Sequence, residues 1–145
     1  MDPWHWPNKE SETRGESVDQ KKAKLLVVFP QFRVSDVIKT AEWYRDKLGF
    51  TIGDYFLDPP VFVHIWRDNV VLQIGLAHNQ DAITRQATGL GCNGYFWTDD
   101  VNALANELIG RSVILTEGPV DRKYACREIM LHDGNGLTLC FAQRI

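Results

Sequence analysis

Two stretches decide the fold: Asp36-Val37-Ile38-Lys39-Thr40-Ala41-Glu42-Trp43-Tyr44-Arg45-Asp46-Lys47-Leu48-Gly49 and Asp99-Asp100-Val101-Asn102-Ala103-Leu104-Ala105-Asn106-Glu107-Leu108-Ile109-Gly110. In the first, Asp36 is placed to cap a helix, because a short carboxylate accepts from the free N–H groups of a first turn. Val37, Ala41, Tyr44 and Leu48 fall on one stripe when the chain turns 100° per residue. Gly49 is placed to end the helix in a left-handed cap. In the second stretch Asp99 or Asp100 caps, Val101, Leu104, Ala105 and Leu108 form the stripe, and Gly110 is the expected stop. Asp36 and Asp100 stand 64 residues apart, and at that offset Val37 meets Val101, Ala41 meets Ala105 and Tyr44 meets Leu108. Cap, stripe and stop recur in one order, which is the mark of a duplicated unit.

Strands flank each helix. Residues 25–34 read as a strand, and Pro30 requires it to be a sheet edge or to bulge, since proline brings no N–H. Residues 50–57 form a second strand, closed by the turn Asp58-Pro59-Pro60. Residues 61–66 and 70–75 follow, joined tightly by Arg67-Asp68-Asn69. In the second half the strands are 93–98, 112–118, 126–131 and 137–142, the last two joined by Asp133-Gly134-Asn135-Gly136. The expected architecture is therefore α+β: two β-α-β-β-β units, 24–76 and 92–145, in a single domain. A polar, irregular linker over 77–91 joins them, with room for a helical turn. Each helix covers one sheet face, leaving the other faces to curve round a shared cavity.

Composition narrows the function. With 145 residues, the chain supports one domain. Its longest apolar runs fall far short of the roughly 20 residues that span a bilayer, so no membrane partner is expected. The net charge of −3 comes without clustered Lys or Arg, which argues against nucleic acid. Cys92, Cys126 and Cys140 are odd in number and lack CxxC spacing, as reduced thiols of a cytoplasmic protein would be. No signal segment opens the chain, so secretion is not expected. Residues 1–23 read as a mobile polar tail. Within it, Trp4 and Trp6 are either a docking hook or a frayed end.

Three segments resemble the vicinal oxygen chelate superfamily of glyoxalases, bleomycin-resistance proteins and extradiol dioxygenases. They are Val34-Ser35-Asp36-Val37 with Trp43-Tyr44-Arg45-Asp46-Lys47-Leu48-Gly49-Phe50, then Thr98-Asp99-Asp100-Val101-Asn102-Ala103-Leu104, and Cys126-Arg127-Glu128-Ile129-Met130-Leu131-His132-Asp133-Gly134-Asn135-Gly136. The last looks most like the bleomycin-resistance branch, where an Arg-Glu pair precedes the final hairpin. The resemblance covers residues 25–143 and implies a homodimer whose cavities form between sheets of both subunits. It also implies four ligand positions in the metal-dependent members. Carried over by spacing from Asp36, these fall at Phe29, Gln73, Asn93 (or Gly94) and Cys140. Phenylalanine cannot ligate, neutral amides are weak, and a lone thiol is a poor anchor, so no metal, cofactor or catalytic residue is expected. His64, His78 and His132 form no HxH or HxxxH pair.

Alternation along strands selects the cavity side chains. If Gln73 and Cys140 face the cavity, so do Val71 and Thr138; if Phe29 does, so do Gln31 and Arg33. Phe62, His64 and Trp66 share a face, as do Asn93, Tyr95 and Trp97. Such a cleft stacks flat amphipathic compounds. Gln73, His64 or Arg33 would orient polar groups, and Tyr124 lies on a loop that can close over a ligand. Arg127-Glu128 is either a ligand contact or a cross-strand ion pair, and Asp99-Asp100 is read as a cap before a pair of catalytic carboxylates. The expected function is metal-independent sequestration of a small aromatic compound, such as a drug in antibiotic resistance, with bleomycin one candidate. The alternatives are a metal-dependent lyase, isomerase or dioxygenase, or a metabolite-sensing module that uses the Trp4/Trp6 tail.

Overall fold

A computed structural model describes residues 21–87 and 91–145; the Trp4/Trp6 segment lies outside them. The elements are β1 (Gln31–Val34), α1 (Val37–Leu48), β2 (Thr51–Ile52), β3 (Phe62–Arg67), β4 (Val70–Leu76) and α2 (Gln80–Ala87). Then come β5 (Gly94–Trp97), α3 (Val101–Gly110), β6 (Leu115–Arg122), β7 (Cys126–His132) and β8 (Thr138–Arg144). Two four-stranded sheets result, ordered β1-β4-β3-β2 and β5-β8-β7-β6. In each, the first strand lies parallel to the last, and the remaining pairs are antiparallel. The duplicated β-α-β-β-β order is the one the sequence predicts.

The helix caps follow their residues. Asp36 Oδ1 accepts from the Lys39 N–H at 2.9 Å, and Asp100, rather than Asp99, does the same for the Ala103 N–H at 2.9 Å. Gly49 ends α1 at φ 72°, as expected. The stop of α3 is different. Gly110 stays inside the last turn, Arg111 caps at φ −88°, and Ser112 takes the left-handed conformation at φ 64°. The helix simply runs past its glycine, because the Arg111 N–H still finds the Glu107 carbonyl at 3.0 Å.

Several strands are shorter or displaced. The first begins only at Gln31, and Leu25, Leu26, Val27 and Val28 are exposed. The Pro30 carbonyl still accepts from the Gln73 N–H, but the proline itself cannot donate, so the ladder stops there. β1 does lie at a sheet edge. Of the strand expected over 50–57, two residues of β2 and a bridge from Phe56 to Phe62 remain. β6 slides to Leu115–Arg122 and carries register shifts around Gly118 (φ 90°), where a Cβ would lie 2.2 Å from the Glu128 carbonyl oxygen. A backbone this close, in this conformation, admits only glycine. Within the linker, α2 runs for two turns instead of one.

A single core joins the helix-side faces of both units, with Phe32, Val34, Tyr44, Ile65 and Ile74 from the first and Phe96, Leu108, Ile129, Leu139 and Phe141 from the second. Two seams close over it. At one, Tyr44 of α1 donates to Asp133 Oδ2 at 2.8 Å, and Asn135 donates to the Thr40 hydroxyl at 3.1 Å. At the other, Arg67 of β3 makes a two-pronged bond to Glu107 of α3, 2.8 Å on each side, and donates to the Leu48 carbonyl. These contacts between units are all made on the helix side, so the opposite sheet faces are left as the outer ones.

Candidate functional site

The outer face of the first sheet carries Gln31, Arg33, Phe62, His64, Trp66 and Gln73, the set that alternation selects. Register pairs Gln31 with Gln73 and His64 with Gln73. A polar row follows: the Gln31 amide donates to Gln73 Oε1, and Gln73 Nε2 meets His64 Nε2 at 3.2 Å. Burial lowers the His64 pKa, which keeps the ring neutral and lets Nε2 accept. Phe29 precedes the strand and stands edge-on to His64 at 5.2 Å, while Phe62 stacks on Phe56 at 4.9 Å. Trp66 lies over Gly53, where a Cβ would meet its ring at 3.0 Å. The Arg33 guanidinium reaches the Leu76 carbonyl at 3.4 Å. An open basin of about 610 Å³ runs along this face, lined by Gln31, Arg33, Phe62 and Gln73 of the first unit and by His78 at the start of the linker.

The outer face of the second sheet is built differently. Tyr95 and Trp97 of β5 meet edge to face at 73°, centroids 5.4 Å apart, and are 44% and 57% exposed. Tyr124, in the turn between β6 and β7, is 62% exposed. Beneath them lies Glu128, which is buried. Its Oε1 accepts from both phenols, at 2.6 Å from Tyr95 and 2.7 Å from Tyr124, and its Oε2 accepts from Arg122 Nε at 2.8 Å. Arg122 is itself held by both oxygens of Glu117 at 2.9 Å. Burial pushes the Glu128 pKa up, but the bonds from Tyr95, Arg122 and Tyr124 together outweigh it and hold the carboxyl below its usual range. The same bonds raise both phenol pKa values, so the protons stay on the tyrosines. Both tyrosine hydroxyls are thereby held by one carboxylate.

Glu128 is the site residue that the sequence reading weighed only within an Arg127-Glu128 pair. The structure separates the two: Arg127 pairs across the strands with Asp121 at 2.7 Å, while Glu128 points to the other sheet face. Alternation along β7 was the signal, since Glu128 shares a face with Cys126 and Met130. The expected residues thus fall on two faces. Phe29, Arg33, Phe62, His64, Trp66 and Gln73 belong to the first, and Tyr95, Trp97, Tyr124 and Cys140 to the second. One chain does not gather them into one cleft.

A protein-family model described as the Glyoxalase/Bleomycin resistance protein/Dioxygenase superfamily matches residues 26–141. The chain belongs to that superfamily. Solved structures agree in fold. A glyoxalase/bleomycin resistance protein/dioxygenase from Nocardioides is similar at 16% identity and TM-score 0.64, covering 88% of both chains. TioX from Micromonospora has 13% identity and TM-score 0.63, over 79% of this chain and 95% of its own. A virulence protein from Salmonella typhimurium has 18% identity and TM-score 0.61, over 86% and 100%. No curated protein sequence matches the chain.

Membership of the superfamily raises the question of a metal. The observed register corrects two of the four positions: Gln31, not Phe29, faces Gln73, and Tyr95, not Asn93, faces Cys140. Phe29 lies before the ladder begins, and the Asn93 side chain is tied to the Thr138 N–H. The corrected donors still do not suit a divalent ion. The amides of Gln31 and Gln73 bond each other, and the Tyr95 phenol bonds Glu128. The Cys140 thiol is pushed up to about 12, first by burial and then by the Glu128 charge. A metal needs ligands that release protons readily and converge. Among the described residues no group of three His, Cys, Asp or Glu side chains could hold one, and no helix is long and apolar enough to cross a membrane.

Proposed function

We propose that this superfamily member binds and holds a small aromatic or amphipathic compound, with the second sheet's outer face as the stacking surface. The observation that carries this reading is the exposed trio Tyr95, Trp97 and Tyr124, with Glu128 holding both phenols from beneath. Large aromatic surfaces left exposed together mark a binding site, and rings fixed in advance lose little entropy when a flat ligand stacks on them. Sequestration requires no group to transfer protons or electrons, in keeping with a carboxylate and two phenols engaged with one another. The first sheet's face, with Gln31, Gln73, His64 and Arg33, offers hydrogen-bonding groups. In a homodimer it would lie opposite the partner's aromatic face and orient the ligand's polar atoms, closing a cavity that one chain leaves open.

The test is a fluorescence titration with N-phenyl-1-naphthylamine and 1-anilinonaphthalene-8-sulfonate, one neutral and one charged flat probe, with melting temperature measured in parallel. Binding should quench tryptophan emission and raise the melting temperature, and Trp97→Ala should weaken it by about tenfold, the loss of one stacking contact. Equal binding by Trp97→Ala and the unaltered chain, or no binding of either probe, sinks the reading.

A further inference from the structure

The two seams between the units are related by the duplication, yet only one is bridged through the core by a tyrosine and a carboxylate. At the offset of 64, Thr40 corresponds to Leu104 and Tyr44 to Leu108. At that seam the Tyr44 ring enters the core and its hydroxyl reaches Asp133, in a turn long enough to return an asparagine to Thr40. The surface there keeps two hollows that share Trp43, one of about 240 Å³ among Ser35, Lys39, Thr40 and Asn135 and one of about 340 Å³ among Lys47, Val113, Ile114 and His132. At the other seam the corresponding leucine has no ring and no hydroxyl, and the facing turn is only Asp68-Asn69. A cleft of about 390 Å³ remains, and it reaches the core.

Its floor is apolar: Phe50, Phe96, Leu104, Leu108 and Phe141, with Phe96 and Phe141 stacked at 4.7 Å and 17° to give a flat base. Its rim is acidic and amide. Asp68, Asn69 and Asp99 line the mouth and are exposed; Arg67, in the same lining, is held by Glu107 at 2.8 Å and lies 3.8 Å from Asp68. An apolar cavity of about 150 Å³ already admits a benzene ring, so this one has room for a ring with a short arm. The arm would end among carboxylates.

We propose that this cleft is a second binding site, for a compact aromatic amine. The ligand's ring takes the place that Tyr44 fills at the other seam, and its ammonium meets the rim carboxylates as the Tyr44 hydroxyl meets Asp133. The cleft opens on the helix side of both sheets; Trp97 of the aromatic face also lines it, whereas Tyr95 and Tyr124 do not.

The experiment is an amide chemical-shift titration of the full chain with tyramine and, as its charge-reversed counterpart, 4-hydroxyphenylacetate. Tyramine should saturate with a Kd below about 1 mM, shifting the amides of Asn69, Val70, Thr98 and Leu104. The acid should bind about tenfold more weakly, and Asp99→Asn should weaken tyramine several-fold. Leu104→Phe and Leu108→Tyr each place a ring in the cleft from within and should abolish these shifts. If either variant fails to fold, the other and the paired ligands on the unaltered chain still decide. Shifts confined to Tyr95 and Tyr124, equal binding of the acid, no saturation, or binding retained by a folded ring-filling variant would overturn the proposal.

Discussion

Set the two units side by side and their chemistry diverges where their architecture agrees. Both begin with an edge strand, cap a helix with an aspartate and add three strands, and their sheets share one strand order. Yet the register positions facing outward are Gln31 and Gln73 in one and Tyr95 and Cys140 in the other. The buried carboxylates differ as well. Glu128 lies on an outer sheet face under two phenols and a guanidinium, and Asp133 lies in a seam under one phenol and two backbone N–H groups. The duplicated units share what builds the scaffold, the caps and apolar stripes, because these stabilise each helix and seat it on its sheet. Faces that do not touch the core are free to take on separate roles.

The seams offer the largest break in that comparison. Tyr44→Ala should lower stability by about 4 kcal/mol, since it opens a core cavity and leaves Asp133 short of a donor. Leu108→Ala, its counterpart, should cost about 3 kcal/mol, since its loss enlarges a cleft already present and strands no polar group. Urea unfolding of the pair checks the order; equal losses would mean that the seams are energetically alike.

The carboxylates give the next effect, and it has opposite signs. Glu128 sits below the usual glutamate range, so its contribution is present above that range and is lost as the pH falls through it. Asp133 sits above the usual aspartate range, chiefly from burial, so its contribution is present in acid and is lost as the pH rises through its folded value. Glu128→Gln should therefore fall further below the unaltered chain as the pH rises from acid, by about 1–3 kcal/mol at neutrality. The deficit of Asp133→Asn should shrink over the same rise. Melting curves against pH test both, and gaps that move the same way would break the contrast. Alkaline titration of tyrosine absorbance sharpens it, because Glu128→Gln should bring the Tyr95 and Tyr124 ionisations down toward the ordinary phenol range.

The smallest effect separates Glu128 from its neighbour in sequence. Asp121→Asn breaks the half-exposed pair with Arg127 and should change stability by less than about 0.5 kcal/mol. A loss as large as that of Glu128→Gln would mean that the two acidic residues act as one cluster.

Much of this was legible before any coordinates. A cap, a stripe and an offset of 64 residues identify both helices, and alternation groups the side chains that share a face of a strand, such as Phe62 with His64 and Trp66. Strand ends were less legible, because a run such as residues 25–29 has strand-forming side chains yet needs a partner with free donors, which Pro30 interrupts. Glu128 was hidden for a similar reason: beside Arg127 in sequence it looks like half of a surface pair, and only the pleat sends the two to opposite sides.

The sequence by itself determined the duplicated units, their helix caps and the residue types on each outer face, since local propensity and periodicity depend on near neighbours alone. Tertiary structure decided which residues meet across distance: Gln31 rather than Phe29 opposite Gln73, two phenols on one carboxylate, one seam bridged by Tyr44 and Asp133 and the other by Arg67 and Glu107. Those pairings depend on register and on how two sheets stack through a shared core, quantities that no single strand carries in its own residues.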